Sequence, residues 1–281
     1  MENRDFIPGE SLYLNLLKKA LVDYRSADSW EMHPLKIVNR NWKTAFLYPI
    51  DRLLRRRNFG IHKLKYVSEF NRSNGYDWPA HAETMIGLNR LNNIEICIAD
   101  AIRNGVPGDL IETGVWRGGA VIFMRAVLKE LGITDRSVWA ADSFCGLPKP
   151  DAGRYPADEG NYLHSLKILS ASLEDVQQNF RKYDLLDEQV RFLPGWFEDT
   201  LPNAPIEQLA LLRLDGDLYS STTQALDALY PKLSTGGYVI VDDYHAFPNC
   251  RKAVDDYRTA HGITDEIVAI DREAVYWKRE R

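Results

Sequence analysis

Only three cysteines occur in the 281 residues, Cys97, Cys145 and Cys250, and none stands in C-x-x-C spacing. A set so sparse and odd in number offers neither a disulfide framework nor a thiolate zinc site. It reads as reduced thiols, and so as a cytoplasmic protein. Long apolar runs are lacking too: none approaches the roughly 18 residues that span a bilayer. The opening Met-Glu-Asn-Arg-Asp has no apolar stretch of the kind an export signal needs. No membrane partner is expected. Positive charge is not in excess, with 35 Lys and Arg against 40 Asp and Glu and a net charge of -5. That argues against nucleic acid as a partner, because phosphate binding wants a basic face. Neither an internal repeat nor a low-complexity tract interrupts the chain.

What is present is an ordinary globular composition, 45% hydrophobic and 27% charged, in a chain long enough for one large α/β domain and a smaller appendage. The appendage is residues 1–80. Ser11 to Tyr24 carries apolar residues at helical spacing and predicts an amphipathic helix. Beyond it, Trp30, Trp42, Tyr48, Phe59, Tyr66, Phe70 and Trp78 are scattered among basic residues without a clean strand period. This stretch is expected to form helices and loops lying on the main domain, as a lid.

Residues 81–281 alternate between helix and strand patterns. Helices are predicted over Leu88–Arg103, Ala120–Leu131, Ser172–Tyr183, Ser221–Leu233 and Lys252–His261. Strands are predicted over Asp109–Glu112, Ser137–Ala141, Val190–Leu193, Leu209–Leu214 and Tyr238–Val241, and a closing hairpin pairs Glu266–Ile270 with Val275–Lys278. Strands separated by helices imply a parallel sheet covered on both faces. Ligands of such sheets sit beyond the carboxyl ends of the strands, and the informative motifs all fall there.

The first of these strands runs into Glu112-Thr113-Gly114-Val-Trp-Arg117-Gly118-Gly119. Glycines let backbone amides approach a ligand closely, and the helix start behind them favours a negative group. The dinucleotide fingerprint G-x-G-x-x-G is broken by Trp116, which disfavours a pyrophosphate ligand. The E-x-G-x-x-x-G spacing instead resembles the first motif of class I methyltransferases; the plainer alternative is a strand-to-helix turn. Asp142, followed by Ser143, ends the second strand thirty positions after Glu112. A carboxylate there can accept both hydroxyls of a ribose; the alternative is a turn cap. After the third strand, Gly195, Trp196 and Phe197 could meet the edge of an adenine, or Trp196 could pack in the core.

Acids are concentrated at the next two strand ends, in Leu-Arg-Leu-Asp215-Gly-Asp217 and Val-Ile-Val-Asp242-Asp243-Tyr. If the strands are parallel these carboxylates meet at one edge of the sheet, beside the cofactor, and repel one another unless a cation intervenes. An all-oxygen set suits Mg²⁺ or another hard divalent cation rather than zinc. A hydroxyl coordinated there ionises more readily. The base that takes its proton is Asp217 by first choice and His245 by second, since an imidazole with pKa near about 6.5 suits that duty.

The stretch from Thr84-Met85-Ile86-Gly87 to Tyr276-Trp277 resembles the TylF family, the macrocin-type sugar O-methyltransferases of antibiotic biosynthesis. The resemblance rests on Thr84–Gly87, Gly105–Gly119, Ala141–Phe144, Leu193–Phe197, Leu212–Asp217 and Val241–Tyr244, spanning about two-thirds of the chain. It implies a Rossmann-like class I methyltransferase sheet, mostly parallel and seven-stranded with the last strand antiparallel, under a helical N-terminal lid. It further implies Mg²⁺-dependent methyl transfer from S-adenosylmethionine to a sugar hydroxyl. Metal would lie on Asp215, Asp242 and Asp243, with Asp215 also beside the cofactor, and Thr84, Met85, Ile86 and Ser172 would line the cofactor pocket.

The front of the chain departs from the family. Residues Asn39 to Asn74 look longer and more basic than its usual lid, with a run at Arg55, Arg56 and Arg57. These arginines could meet an anionic acceptor, form a solvated helix face or make a subunit contact. A homodimer is compatible with the first helix needing something to pack on. A phenolic, catechol-type O-methyltransferase would use the same sheet and metal, and a non-catalytic nucleoside-binding module would keep Asp142 and the glycine turn without needing the acids.

Overall fold

The computed structural model describes residues 6–35 and 44–281. Trp42 and the first residues of the 39–74 segment lie outside them. In chain order the elements are α1 (Leu12–Leu21), β1 (Ser29–Pro34), α2 (Leu47–Arg55), β2 (His62–Val67), α3 (Glu69–Asn74) and α4 (Gly87–Arg103). There follow β3 (Asp109–Thr113), α5 (Gly119–Glu130), β4 (Val138–Asp142), α6 (Leu173–Lys182), β5 (Val190–Pro194) and α7 (Phe197–Thr200). The chain finishes with β6 (Leu209–Leu214), α8 (Tyr219–Leu229), β7 (Leu233–Val241), α9 (Pro248–Ala260), β8 (Val268–Ala269) and β9 (Val275–Lys278).

Seven strands make one sheet in the order β5-β4-β3-β6-β7-β9-β8. The pairs among β3 to β7 are parallel, while β9 runs antiparallel to both β7 and β8. The strand order reverses between β3 and β6, so a crevice open to a ligand lies there, at the carboxyl ends of the strands. Successive residues of the central strands feed opposite cores, as the two-residue strand period requires. Leu110, Leu211 and Ile240 face the core that holds α1, α4 and α5. Ile111, Leu212 and Val241 face the one that holds α8 and α9.

Helix α1 is capped by the Ser11 hydroxyl, which accepts from the Leu14 amide. It buries Leu14, Leu17 and Leu21 in the main core, so its apolar face finds its partner within its own chain. Among the described residues no helix is long and apolar enough to cross a membrane.

Two regions differ most from the sequence-based expectation. The sequence predicts no strand in residues 29–67, yet β1 and β2 pair antiparallel from Ser29 opposite Val67 to Pro34 opposite His62. The alternation is there but inverted. Glu31 and His33 point inward and are buried, while Trp30, Met32, Leu64 and Tyr66 are exposed. The inward face packs on charge: buried Arg72 donates to Asp77 at 2.8 Å and to the Val22 carbonyl at 2.8 Å, and Glu31 accepts from the Ala80 amide. A search for apolar residues on the inner face misses such a strand. The second difference is that α8 stops at Leu229 and β7 begins at Leu233, because Pro231 allows only a short turn and Gly236, at φ +86°, bends the early strand.

Candidate active site

A cavity of about 660 Å³ opens at the carboxyl ends of β3, β4, β6 and β7. Of the residues singled out from sequence, Glu112, Gly114, Asp142, Ser143, Gly195, Trp196, Phe197, Asp215, Asp217, Asp242 and Asp243 line it. Thr84, Met85 and Ile86, on the stretch entering α4, line it as well.

The glycine turn shows why its residue types are required. Gly114 has φ +88°, and a Cβ there would stand 1.8 Å from the Asp215 carbonyl oxygen, so no side chain fits. Trp116 also takes a left-handed conformation, φ +46°, held by its indole N–H donating to the Ile168 carbonyl at 2.7 Å. Asp142 anchors the turn by accepting from the Val115 amide on one oxygen and from the Phe144 amide on the other, each at 2.7 Å. Burial raises its pKa, opposed by these backbone donors.

Other residues of the predicted set support the turn from behind and do not line the cavity. Thr113 is buried in β3. Arg117 donates to the carbonyls of Ala80 and Ala82 at 3.0 and 2.9 Å and lies over the Trp116 ring. Gly118, at φ +91°, starts α5 where a Cβ would come 2.8 Å from Val176, and Gly119 admits the Glu83–Thr84 backbone. Ser172 caps α6 in a reciprocal pair with Asp175. His245 is exposed, its ring edge-on to Tyr244. Arg55, Arg56 and Arg57 are also exposed and away from the cavity; Arg55 pairs with Asp51 at 2.6 Å.

The acid cluster assembles as the parallel pairing of β6 and β7 dictates. One oxygen each from Asp215, Asp242 and Asp243 lies within 4.8 Å of the others. Part of their repulsion is relieved by guanidiniums of the chain itself. Fully buried Arg213 donates to Glu112, to Asp215 at 2.7 Å and to Asp242. Arg90 holds the other Asp242 oxygen and reaches Asp271 at 2.7 Å and Glu273 at 2.9 Å, tying the turn before β9 to the site. Excess negative charge remains. Asp243 Oδ2 and Glu112 Oε2 are buried without a hydrogen-bond partner. Burial pushes Glu112 up to about 8, Arg213 opposing and Asp215 and Asp242 adding to the rise. Burial and the Asp242 charge lift Asp215 to about 6. Asp217, at φ +58°, and Asp243 are held well above the ordinary carboxylate range, by burial first and then by neighbouring carboxylates.

Neither arginine is among the sequence candidates. Arg213 has a legible signal: a cation amid the leucines of Leu209–Leu214 must be paired if the strand is buried on both faces. Arg90 has none, since its partners Asp242 and Asp271 are 152 and 181 positions away.

A seven-stranded sheet of this order, with a glycine turn after β3, an acid after β4 and one cavity joining them, defines a class I methyltransferase fold. The profile of the macrocin-O-methyltransferase (TylF) family matches residues 10–279. The chain belongs to that family and is an O-methyltransferase. It is 57% identical over 227 residues, 80% of this chain and 86% of the other, to the demethyldecarbamoylnovobiocin O-methyltransferase of Streptomyces niveus. It is 56% identical over 205 residues, 73% of this chain and 78% of the other, to the 8-demethyl-8-(2,3-dimethoxy-alpha-L-rhamnosyl)-tetracenomycin-C 4'-O-methyltransferase of Streptomyces olivaceus. The solved structure of the O-methyltransferase NovP superposes with a TM-score of 0.82 at 49% identity, covering 96% of this chain and 99% of that one. Homologues thus act on glycosylated antibiotic intermediates, and the family implies S-adenosylmethionine as methyl donor.

Proposed function

We propose that this chain methylates a sugar hydroxyl of a glycosylated natural product, using S-adenosylmethionine and a divalent cation, Mg²⁺ or its like. The observation that carries the cation is the buried, unpartnered Asp243 Oδ2 within a three-carboxylate cluster in the cavity that holds the cofactor turn. Two guanidiniums leave that oxygen uncompensated, and a hard cation suits oxygen donors of this kind. Asp215, Asp242 and Asp243 would hold it.

When bound, the cation lowers the pKa of the acceptor hydroxyl, and S-adenosylmethionine supplies the methyl group. The chain's residues do the rest. Asp142 has lone pairs left for the ribose hydroxyls, and unpartnered Glu112 Oε2 suits an ammonium group of the donor. Thr84, Met85, Ile86, Ser143 and Gly195–Phe197 enclose the donor, Thr113, Arg117, Gly118 and Gly119 hold its turn in shape, and Ser172 caps the neighbouring helix α6. Asp217 accepts the proton that the acceptor hydroxyl gives up as its oxygen bonds to the methyl carbon and the sulfur–methyl bond breaks. It lines the cavity beside the acid cluster, where a general base is needed. Residues 1–80 act as a lid on the domain 81–281, with Gly75 and Trp78 at the cavity wall.

The test is methyl transfer to the demethyldecarbamoylnovobiocin scaffold and related glycosides after exhaustive chelation, with Mg²⁺ then restored. Activity that is lost and regained supports the reading; undiminished activity in the chelated protein overturns the cation.

A further inference from the structure

The segment between β4 and α6, residues 143–172, roofs the cavity and contributes Lys149, Arg154 and Tyr155 to its wall. One buried carboxylate ties this roof down. Asp158, 1% exposed, accepts from the Tyr219 amide at 2.7 Å, the Ser220 amide at 3.0 Å and the Asn249 side-chain amide at 2.9 Å. Helix α8 has Leu218 at its cap position and α9 has Phe247, so neither has a side-chain cap of its own. The orphan amides at the start of α8 are satisfied from 61 and 62 positions upstream, where a carboxylate also meets the positive end of the helix dipole.

Location gives this joint its meaning. Helix α8 follows the Asp215–Asp217 turn at once, and α9 follows Asp242–Asp243 after four residues. Asp158 therefore pins together the roof and the starts of both helices that leave the acid turns. Other roof ties are weaker or elsewhere: the Arg154–Glu198 pair is solvent-exposed, and Trp116 holds the far end at Ile168.

We propose that Asp158 is a positioning residue for methyl transfer. It holds the roof over the cavity and sets the two acid turns at the spacing where Asp215, Asp242 and Asp243 share one cation. The second half of this statement rests on the cation reading above. The cofactor turn, built on Gly114 and Asp142, makes no bond to Asp158 among the described residues and meets the roof only at its far end, so donor binding depends on Asp158 less than the roof and the acid turns do.

The test compares wild type, Asp158→Ala, and Asp158→Asn, which keeps one oxygen to accept from the Tyr219 amide and the Asn249 side chain. Tryptic cleavage after Arg154 and Lys167 reads the roof, Mn²⁺ titrated by electron paramagnetic resonance reads the acid turns, and calorimetry reads S-adenosylmethionine. Asp158→Ala is expected to be cut about 10-fold faster and to bind Mn²⁺ about 10-fold more weakly. Its affinity for the donor stays within about twofold of wild type, and Asp158→Asn falls between wild type and the alanine variant in both readouts. Asp158→Ala that melts earlier but keeps wild-type cleavage and Mn²⁺ affinity overturns the proposal, leaving only a helix cap. So does a parallel loss of donor affinity, or an Asp158→Asn variant no better than the alanine one. Wild type that takes up no Mn²⁺ sinks the cation reading instead, and the cleavage rates then decide the roof joint alone.

Discussion

Arg213 on β6 donates to Asp242 at the end of the neighbouring strand β7, and it does so from a position with no solvent exposure. The same guanidinium reaches Glu112 on β3 and Asp215 beyond β6. One side chain thus links the floor of the proposed donor site to that of the cation site. The acids converge because their strands are parallel neighbours, and the arginine makes that convergence tolerable in a folded chain without ligands.

Replacing Arg213 by Met should therefore be severe. It leaves Glu112, Asp215 and Asp242 buried without their common counter-charge, and breaking a buried pair from one side costs about 3–5 kcal/mol. Urea unfolding should show a loss of that order. A loss under about 1 kcal/mol would mean that solvent reaches the acids freely.

Stability should depend on pH through Glu112. Its folded pKa of about 8 lies above the ordinary value of 4.5. The native state therefore holds this proton where the unfolded state has released it. The sign follows: the contribution is complete below about 4.5 and is lost as pH rises towards about 8. Unfolding free energy of the ligand-free protein should fall across that window, and Glu112→Gln should flatten the slope. An unchanged slope in the variant would remove Glu112 as its source.

Gly114→Ala should abolish donor binding while leaving most of the fold intact. Its Cβ would overlap the Asp215 carbonyl oxygen at 1.8 Å, at a φ of +88° that costs a side-chain-bearing residue about 1–2 kcal/mol even in open space. Calorimetry with S-adenosylmethionine should show at least about a tenfold loss of affinity; wild-type affinity would separate the turn from the donor site.

The two candidate bases should part company in turnover. Asp217 lines the cavity and His245 is exposed outside its wall. Asp217→Asn is expected to lower kcat by about 10²–10⁴, the usual worth of a positioned base, with His245→Asn within about twofold of wild type. The reverse order would transfer the role to His245.

Much of this architecture is legible in the amino-acid sequence. Gly114 and the acids at the strand ends stand out because their residue types are the ones the backbone and the chemistry demand. The strands β3 to β7 announce themselves as apolar runs between helices. What stays hidden is of two kinds. The β1–β2 pair escapes because its inward residues, Glu31 and His33, are polar and its outward ones apolar, which reverses the pattern that makes a strand visible. Arg90 and Asp158 escape because each acts on partners far away in the chain.

The sequence by itself determined the class of fold and the chemistry available at each strand end. Periodicity and glycine placement are local, and parallel strands bring their carboxyl ends together whatever lies between. Only the tertiary structure decided how the charges balance. Whether a buried carboxylate meets a guanidinium, a helix amide or nothing depends on which side chains arrive from other elements. Asp242 received two arginines, Asp158 received two helix starts, and Asp243 kept one oxygen unpaired.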